Sequence, residues 1–394
     1  MIKLNLNLSK QKMNDISIYF NPVDVTGEWH EDQIGSKIVS NHSSFPEIQK
    51  NSCALIYVPE FRGFKKSDNK QDVQTKFREA FYELQIGTNW NSNLYDLGDI
   101  LPGQDLKDTY FALSQVVSEL VKINVIPIVV GGSQDLILAL YTAYEKLEQM
   151  INICSVDYAL DLGAPEDEIN SNGYLSHLLL KRPCYLFNHA NIGLQVPYSN
   201  PKELTLFEKL YFDICRLGEF NADFKKAEPH LRNADIINID FESIKASETL
   251  SRSGLPNGFY AEQICQIGKY AGISDKVSSF GIFNYINQTQ VSDQLLAQLI
   301  WYFIDGVAAR FGDFPIGNKV DYKKFTVVME ESNNELVFFK SNKSSRWWME
   351  VPFPPSNQSK YERHYLVPCN KEDYENAMKN ELPNLWWKTY QKLT

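Results

Sequence analysis

The sequence predicts an α/β protein: a three-layer α/β/α sandwich on a mostly parallel sheet, followed by a C-terminal β-hairpin and helix extension. Three observations predict it. Ile126–Val130 and Ile151–Val156 are short, continuously apolar strands joined by a helical run to Met150, the pattern of strands buried on both faces. Strand-like and helix-like stretches alternate through most of the chain, as βαβ units require. From about Phe311 the chain changes to closely paired, aromatic-rich strands.

The elements can be justified in order. Asn14–Gly35 reads as an irregular arm, with turn chemistry at Asn21-Pro22-Val23-Asp24 and single apolar anchors. Cys53–Val58 is the first core strand, ended by Pro59. A loop over Phe61–Asp72 leads to a helix over Val73–Glu83, where Val73, Phe77, Ala80, Phe81 and Leu84 recur at helical spacing. Leu94–Gly98 is a short strand, and Lys107–Asn124 a helix with Tyr110, Leu113, Val117 and Leu120 on one face. Beyond Val156 the span Gly163–Gly173 is polar and turn-rich, so a surface loop is expected. Tyr185–Phe187 and Asn191–Gln195 read as a strand pair, and Pro201–Leu210 as a helix. Ile236–Asp240 is another buried strand, and a Gly-containing loop, Ser251–Gly258, precedes a helix over Ala261–Ala271. Val277–Phe283 is the last core strand, and Asp293–Arg310 a long amphipathic helix.

Lys324–Met329 and Glu335–Phe339, turned through Ser332-Asn333-Asn334, predict a hairpin. Arg346–Glu350, a Pro-rich link, a helix over Lys371–Asn380 and the aromatic Leu385–Lys388 follow. A hairpin so rich in Trp and Phe must bury one face on the main domain or on a partner. The expected division is an N-terminal arm packed on the core (1–50), an α/β domain (51–312) and an aromatic-rich extension (313–394).

Composition narrows the function. A formal net charge of -10 argues against a general nucleic-acid binder, whose affinity rests on cationic side chains, and against docking on anionic lipid. The six cysteines are scattered without a close pair, which is reduced, cytoplasmic usage and not a disulfide or zinc framework. Met1–Lys12 lacks the apolar run of a signal peptide, and no stretch approaches the ~20 apolar residues of a membrane span. A cytoplasmic protein without membrane insertion is expected.

In parallel sheets the loops at strand C-terminal ends carry the ligand site. Gln134 follows a Gly-Gly turn after one strand, Asp157 and Asp161 follow a second, and Asp240 and Glu242 follow a third. Carboxylates spaced i, i+4 and facing another pair at i, i+2 suit a hard divalent cation. They equally suit capping of loop N–H groups. Four such carboxylates in one pocket raise one another's pKa, so they need a cation, a base such as Lys245, or shared protons.

The order Val-Gly-Gly-Ser-Gln-Asp (130–135), Val-Asp-Tyr-Ala-Leu-Asp (156–161) and Asn-Ile-Asp-Phe-Glu-Ser-Ile-Lys (238–245) resembles the ureohydrolase superfamily of arginases, agmatinases and formimidoylglutamases. Its blocks are Gly-Gly-(Asp/Gly)-His, Asp-Ala-His-x-Asp and Ser-x-Asp-x-Asp-x-x-Asp-Pro. Asn191–Gln195 followed by Ser199-Asn200 resembles the formimidoylglutamase branch, and the likeness runs over roughly residues 50–310. It implies an arginase-like fold and two bridged manganese ions that generate hydroxide for attack on a guanidinium or formimino carbon.

Position by position, the family's histidines fall on Gln134 and Ala159, and its aspartates on Asp157, Asp161, Asp240 and Glu242. The aspartate before proline falls on Lys245. The substrate carboxylate falls near Asn284, with no Asp or Glu between Lys276 and Ser292. His177 stands where the family places a substrate-loop residue. These losses imply a catalytically degenerate relative that acts by binding, through protein partners at the C-terminal extension. The expected cofactor is none, or one weakly held divalent cation on Asp157, Asp161, Asp240 and Glu242. The competing expectation is an active hydrolase of linear amidines or guanidino compounds, using an altered one-metal site. A small-molecule sensor is a third. The resemblance also implies trimers or hexamers, which the C-terminal segment would block or replace.

Overall fold

A computed structural model describes residues 15–64, 76–164, 166–251, 254–286, 289–315, 319–330, 335–353 and 364–394. Part of the 61–72 loop, the start of the Val73–Glu83 helix, the hairpin turn and most of the Pro-rich link lie outside the described residues.

The predicted sandwich is present. A ten-stranded sheet contains β1 (Phe20–Asn21), β2 (Val39–Ser40), β3 (Cys53–Val58), β4 (Leu94–Ile100), β5 (Ile126–Gly131), β6 (Ile151–Val156), β7 (Leu186–Leu194), β8 (Asp213–Arg216), β9 (Ile236–Asp240) and β10 (Ser279–Phe283). Its order is β1-β4-β3-β5-β10-β9-β6-β7-β8, with β2 also on β4. All pairings are parallel except β1 on β4. The strand residues alternate between two cores. Leu55, Tyr57, Ile128, Val130, Cys154 and Val156 join one, and Ala54, Ile56, Val58, Val129, Ile151 and Ile153 the other.

The first core is covered by α1 (Phe77–Tyr82), α6 (Leu217–Ala222), α7 (Glu228–Asn233), α9 (Ala261–Ile273) and α10 (Gln290–Ala308). The second is covered by α2 (Leu106–Lys122), α3 (Ile137–Glu145), α4 (Tyr174–Leu180) and α5 (Pro201–Lys209). The single-turn α8 (Ala246–Thr249) follows β9. Gly132 is required by close approach: a Cβ there would lie 1.9 Å from the Glu60 carbonyl oxygen. At Gly193 the requirement is a φ of +106°, which glycine alone adopts readily.

The expected pair at Tyr185–Phe187 and Asn191–Gln195 is one strand, β7. Asn188 and His189 look like a polar break, but both are buried and bonded, Asn188 to Asp213 at 3.0 Å and His189 to Ser155 at 3.2 Å. Gly163–Gly173 is not wholly surface either. Asn170 and Ser171 are buried, and the Ser171 N–H donates to the Gly63 carbonyl at 2.9 Å.

The C-terminal hairpin grows into a four-stranded antiparallel sheet, β11 (Tyr322–Val328), β12 (Glu335–Ser341), β13 (Trp347–Pro352) and β14 (His364–Cys369). Helices α11 (Lys371–Met378) and α12 (Asn384–Leu393) pack on it around a core of Phe338, Trp347, Met349 and Trp386. The unit buries aromatic surface against the main domain of its own chain. Phe187 of β7 meets Tyr365 with ring centroids 4.9 Å apart. The Arg232 guanidinium lies 4.5 Å from the Trp348 ring centroid and donates to the carbonyls of Trp347 and Cys369, both at 3.0 Å. Lys392 and Lys388 of α12 pair with the buried Asp213. No helix among the described residues is long and apolar enough to cross a membrane.

Candidate functional site

The strand order creates a crevice where the winding reverses. β9 and β10, late in the chain, are inserted between β5 and β6, so four adjacent strands end side by side. Phe283 pairs with Asp240, Ile282 with Val130, and Ile239 with Val156. Gln134, Asn284, Asp240 and Asp157 therefore stand next to one another, as expected of residues at a topological switch point.

Their side chains form one hydrogen-bonded lattice. The Gln134 amide nitrogen donates to Asp157 Oδ2 at 2.6 Å. The Asn284 amide nitrogen donates both to Gln134 Oε1 at 3.0 Å and to Asp240 Oδ1 at 2.9 Å. Asn284 Oδ1 accepts from the Gln134 N–H at 3.0 Å, and the Asn284 N–H donates to the Gly132 carbonyl at 2.6 Å. Asn284 achieves this in the left-handed region, φ 56°, which asparagine tolerates better than most residues. The backbone adds two more donors: Asp157 Oδ1 accepts from Ala159 N–H, and Asp240 Oδ1, the same oxygen that Asn284 bonds, accepts from Glu242 N–H, both at 2.9 Å.

Charge in the crevice is settled by protons as well as amides. Burial, and then the neighbouring Asp157 and Asp240, push Asp161 well above the usual carboxylate range. Burial, then Asp157 and Glu242, do the same to Asp240. Burial also raises Asp157, against hydrogen bonds from Ala159, Gln134 and Asp161. The Asp161–Asp157 hydrogen bond lowers Asp157 and raises Asp161. Lys245 does not serve as the neutralising base: its ammonium lies 3.4 Å from the centroid of the Tyr260 ring.

Of the residues named from the sequence, Gln134, Asp157, Asp161, Asp240 and Asn284 converge. Glu242 is half-buried and borders, with Asn284, Thr249, Ser251 and Ser292, a cavity of about 10 Å³, the space of about one water molecule. Among the described residues no hydrogen bond draws His177 into the crevice. Its helix instead contributes Tyr174, whose hydroxyl feels Asp161 and Asp157. Asn191, unremarked as a site residue in the sequence, donates from its amide to the Ala159 carbonyl at 2.8 Å and so holds the Asp157–Asp161 loop. The signal available was an asparagine next to the apolar end of β7, residues 192–194.

The donor set does not fit the manganese pair that the resemblance implies. Gln134 turns its amide nitrogen, not its oxygen, to Asp157, and Ala159 offers no side-chain ligand. The Asn284 amide already donates to Asp240 Oδ1, one of the oxygens a metal would use. Among the described residues no group of three or more His, Cys, Asp and Glu is arranged to hold a metal ion.

No protein-family model matches the sequence, and no curated protein matches it. Solved structures do match in fold. Formiminoglutamase from Trypanosoma cruzi, solved with Mn2+, is 16% identical with a TM-score of 0.58, covering 66% of this chain and 94% of its own. Formimidoylglutamase from Bacillus subtilis is 14% identical with a TM-score of 0.61, covering 74% and 97%. Proclavaminate amidino hydrolase from Streptomyces clavuligerus is 14% identical with a TM-score of 0.56, covering 71% and 98%.

Proposed function

From the premise that this chain has the arginase-like fold of the ureohydrolases, we propose that it is a catalytically degenerate relative that acts by binding or scaffolding. The observation that carries this reading is the amide lattice: Gln134 and Asn284 donate to Asp157 Oδ2 and Asp240 Oδ1, two oxygens that a metal would otherwise take. Groups that act as a unit in catalysis are non-additive, so the loss of even one removes most activity, and this chain differs at 134, 159 and 284. The C-terminal unit supports a protein partner. Its outer side exposes Val328, Met378 and Leu382, brought close by the hydrogen bond from Glu330 N–H to Asn380 Oδ1 at 3.0 Å. Six free cysteines, five of them buried, suit a reducing cytoplasm.

The test is metal analysis and turnover in one preparation. Protein purified without chelator is incubated with stoichiometric Mn2+ and assayed on formiminoglutamate, arginine and agmatine. Substoichiometric retained metal and no hydrolysis are expected. Hydrolysis with two bound metals sinks the proposal.

The second reading is a hydrolase of linear amidines or guanidino compounds with one cation on Asp157, Asp161, Asp240 and Glu242. What favours it is that the acids after β6 and β9 persist together in the crevice. It requires that Asp157→Asn or Asp240→Asn abolish turnover without unfolding the protein.

A further inference from the structure

Below the crevice, on the sheet face covered by α4 and α5, Ser155 of β6 pairs in register with Asn191 of β7 on one side and Asn238 of β9 on the other. Residues opposite one another on parallel strands share a face. Three polar side chains therefore stand in a row on a face otherwise built from Ile151, Ile153, Ile236 and Phe207. His189 and Tyr174 close over it. Ser155 Oγ lies 3.2 Å from His189 Nε2, 3.4 Å from the Tyr174 hydroxyl and 3.3 Å from Asn238 Nδ2. The Tyr174 hydroxyl is 3.4 Å from Asn238 Nδ2. All four separations are at or beyond the long end of ordinary hydrogen bonds.

Three atoms of this group have no hydrogen-bond partner among the described residues: His189 Nδ1, Asn191 Oδ1 and Asn238 Oδ1. Their residues are 1%, 1% and 0% exposed, so bulk solvent does not reach them. Two of the three are amide oxygens, which accept and never donate. The matching amide nitrogens are committed elsewhere, Asn191 to the Ala159 carbonyl and Asn238 to Ser155 and Tyr174. What the row lacks is a small donor.

We propose that this row is an internal hydration site, in which ordered water donates to Asn238 Oδ1 and Asn191 Oδ1 and bonds His189 Nδ1. Buried waters characteristically make about three hydrogen bonds to otherwise unsatisfied groups, and the row offers that number. The site has a structural task. Asn191, steadied by water at its oxygen, holds the Ala159 carbonyl with its nitrogen, so the water props the Asp157–Asp161 loop from beneath. This holds whether or not the crevice above is catalytic.

The test is water magnetic relaxation dispersion on the intact chain and on Asn238→Leu, with high-resolution crystallography of the wild type. We expect the variant to lose at least one long-lived internal water, and wild-type density within hydrogen-bond reach of both amide oxygens. Equal dispersion amplitudes in the two proteins overturn the proposal, as does density that refines as a cation. Should Asn238→Leu fail to fold, wild-type density decides: protein atoms alone around both oxygens refute it.

Discussion

Asn284→Ala is the sharpest perturbation of the crevice. It deletes the donation to Asp240, the donation to Gln134 Oε1 and the acceptor for the Gln134 N–H, and Asn284 is only 5% exposed. A hydrogen bond to a charged group contributes about 1.5–3 kcal/mol, a neutral one about 1, and a stranded buried N–H costs at least about 1. Asp240 is itself held toward its neutral form, so the lower figure applies to that bond. Alanine must also adopt φ 56°, a left-handed conformation that costs an L-residue about 1 kcal/mol or more. The sum is about 4 kcal/mol, near the top of what single substitutions do. Asn284→Gly loses the same bonds without the backbone cost, so it should recover about 1 kcal/mol of that loss. Urea unfolding at neutral pH, followed by circular dichroism, measures both. A loss below about 1 kcal/mol for alanine, or no advantage of glycine, would refute the keystone role given to this residue.

Four further outcomes follow from the packing. Asp213 is held down to about 2 by Lys392, His230 and Lys388 against its burial. Its contribution is present above the unfolded value near 3.8, lost as pH falls through the folded one, and amounts to about 2 kcal/mol. Asp213→Asn should therefore destabilise at neutral pH and converge with wild type near pH ~2. Lys392 is pushed down by burial, so the pair's desolvation cost falls on the lysine and Lys392→Met should be milder than Asp213→Asn. Burial holds His189 down to about 3. Stability should therefore fall by up to about 1.4 kcal/mol for each pH unit below the unfolded value of ~6.5, with His230, also lowered by burial, acting in the same direction. A flat stability profile between these limits would contradict the buried placement of the His189 ring. Arg232→Met strips the C-terminal unit of two carbonyl contacts and a stacked cation. Limited proteolysis should then release a C-terminal fragment that the wild type protects.

The sheet was legible because strands buried on both faces read as apolar runs, and Ile126–Val130, Ile151–Val156 and Ile236–Asp240 are such runs. β8 was not, since Asp213 and Arg216 leave two apolar residues in four, and its polarity makes sense only beside Lys388 and Lys392 of a distant helix. The polar centre of β7 was misread for the same reason: the partners of Asn188 and His189 lie on other strands. At the crevice, strand-end position pointed to Gln134, Asp157, Asp161 and Asp240, and the family resemblance added Asn284. It did not reveal that two amides would share out the acids' lone pairs, because Gln134 and Asn284 are 150 positions apart.

The insertion of β9 and β10 also governs how the chain can assemble. β4, β3 and β5 form one half-sheet and β6, β7 and β8 another, and the halves join only through the β10–β9 pair. A nascent chain that has not yet reached residue 236 carries two apolar half-sheets whose inner edges, β5 and β6, have no neighbour. Such edges invite pairing with other chains, and closing them demands contacts of long sequence separation, which form slowly. The last strands made are therefore the ones that protect the middle of the sheet, and the residue that ties them in, Asn284, is among the last of the core to emerge.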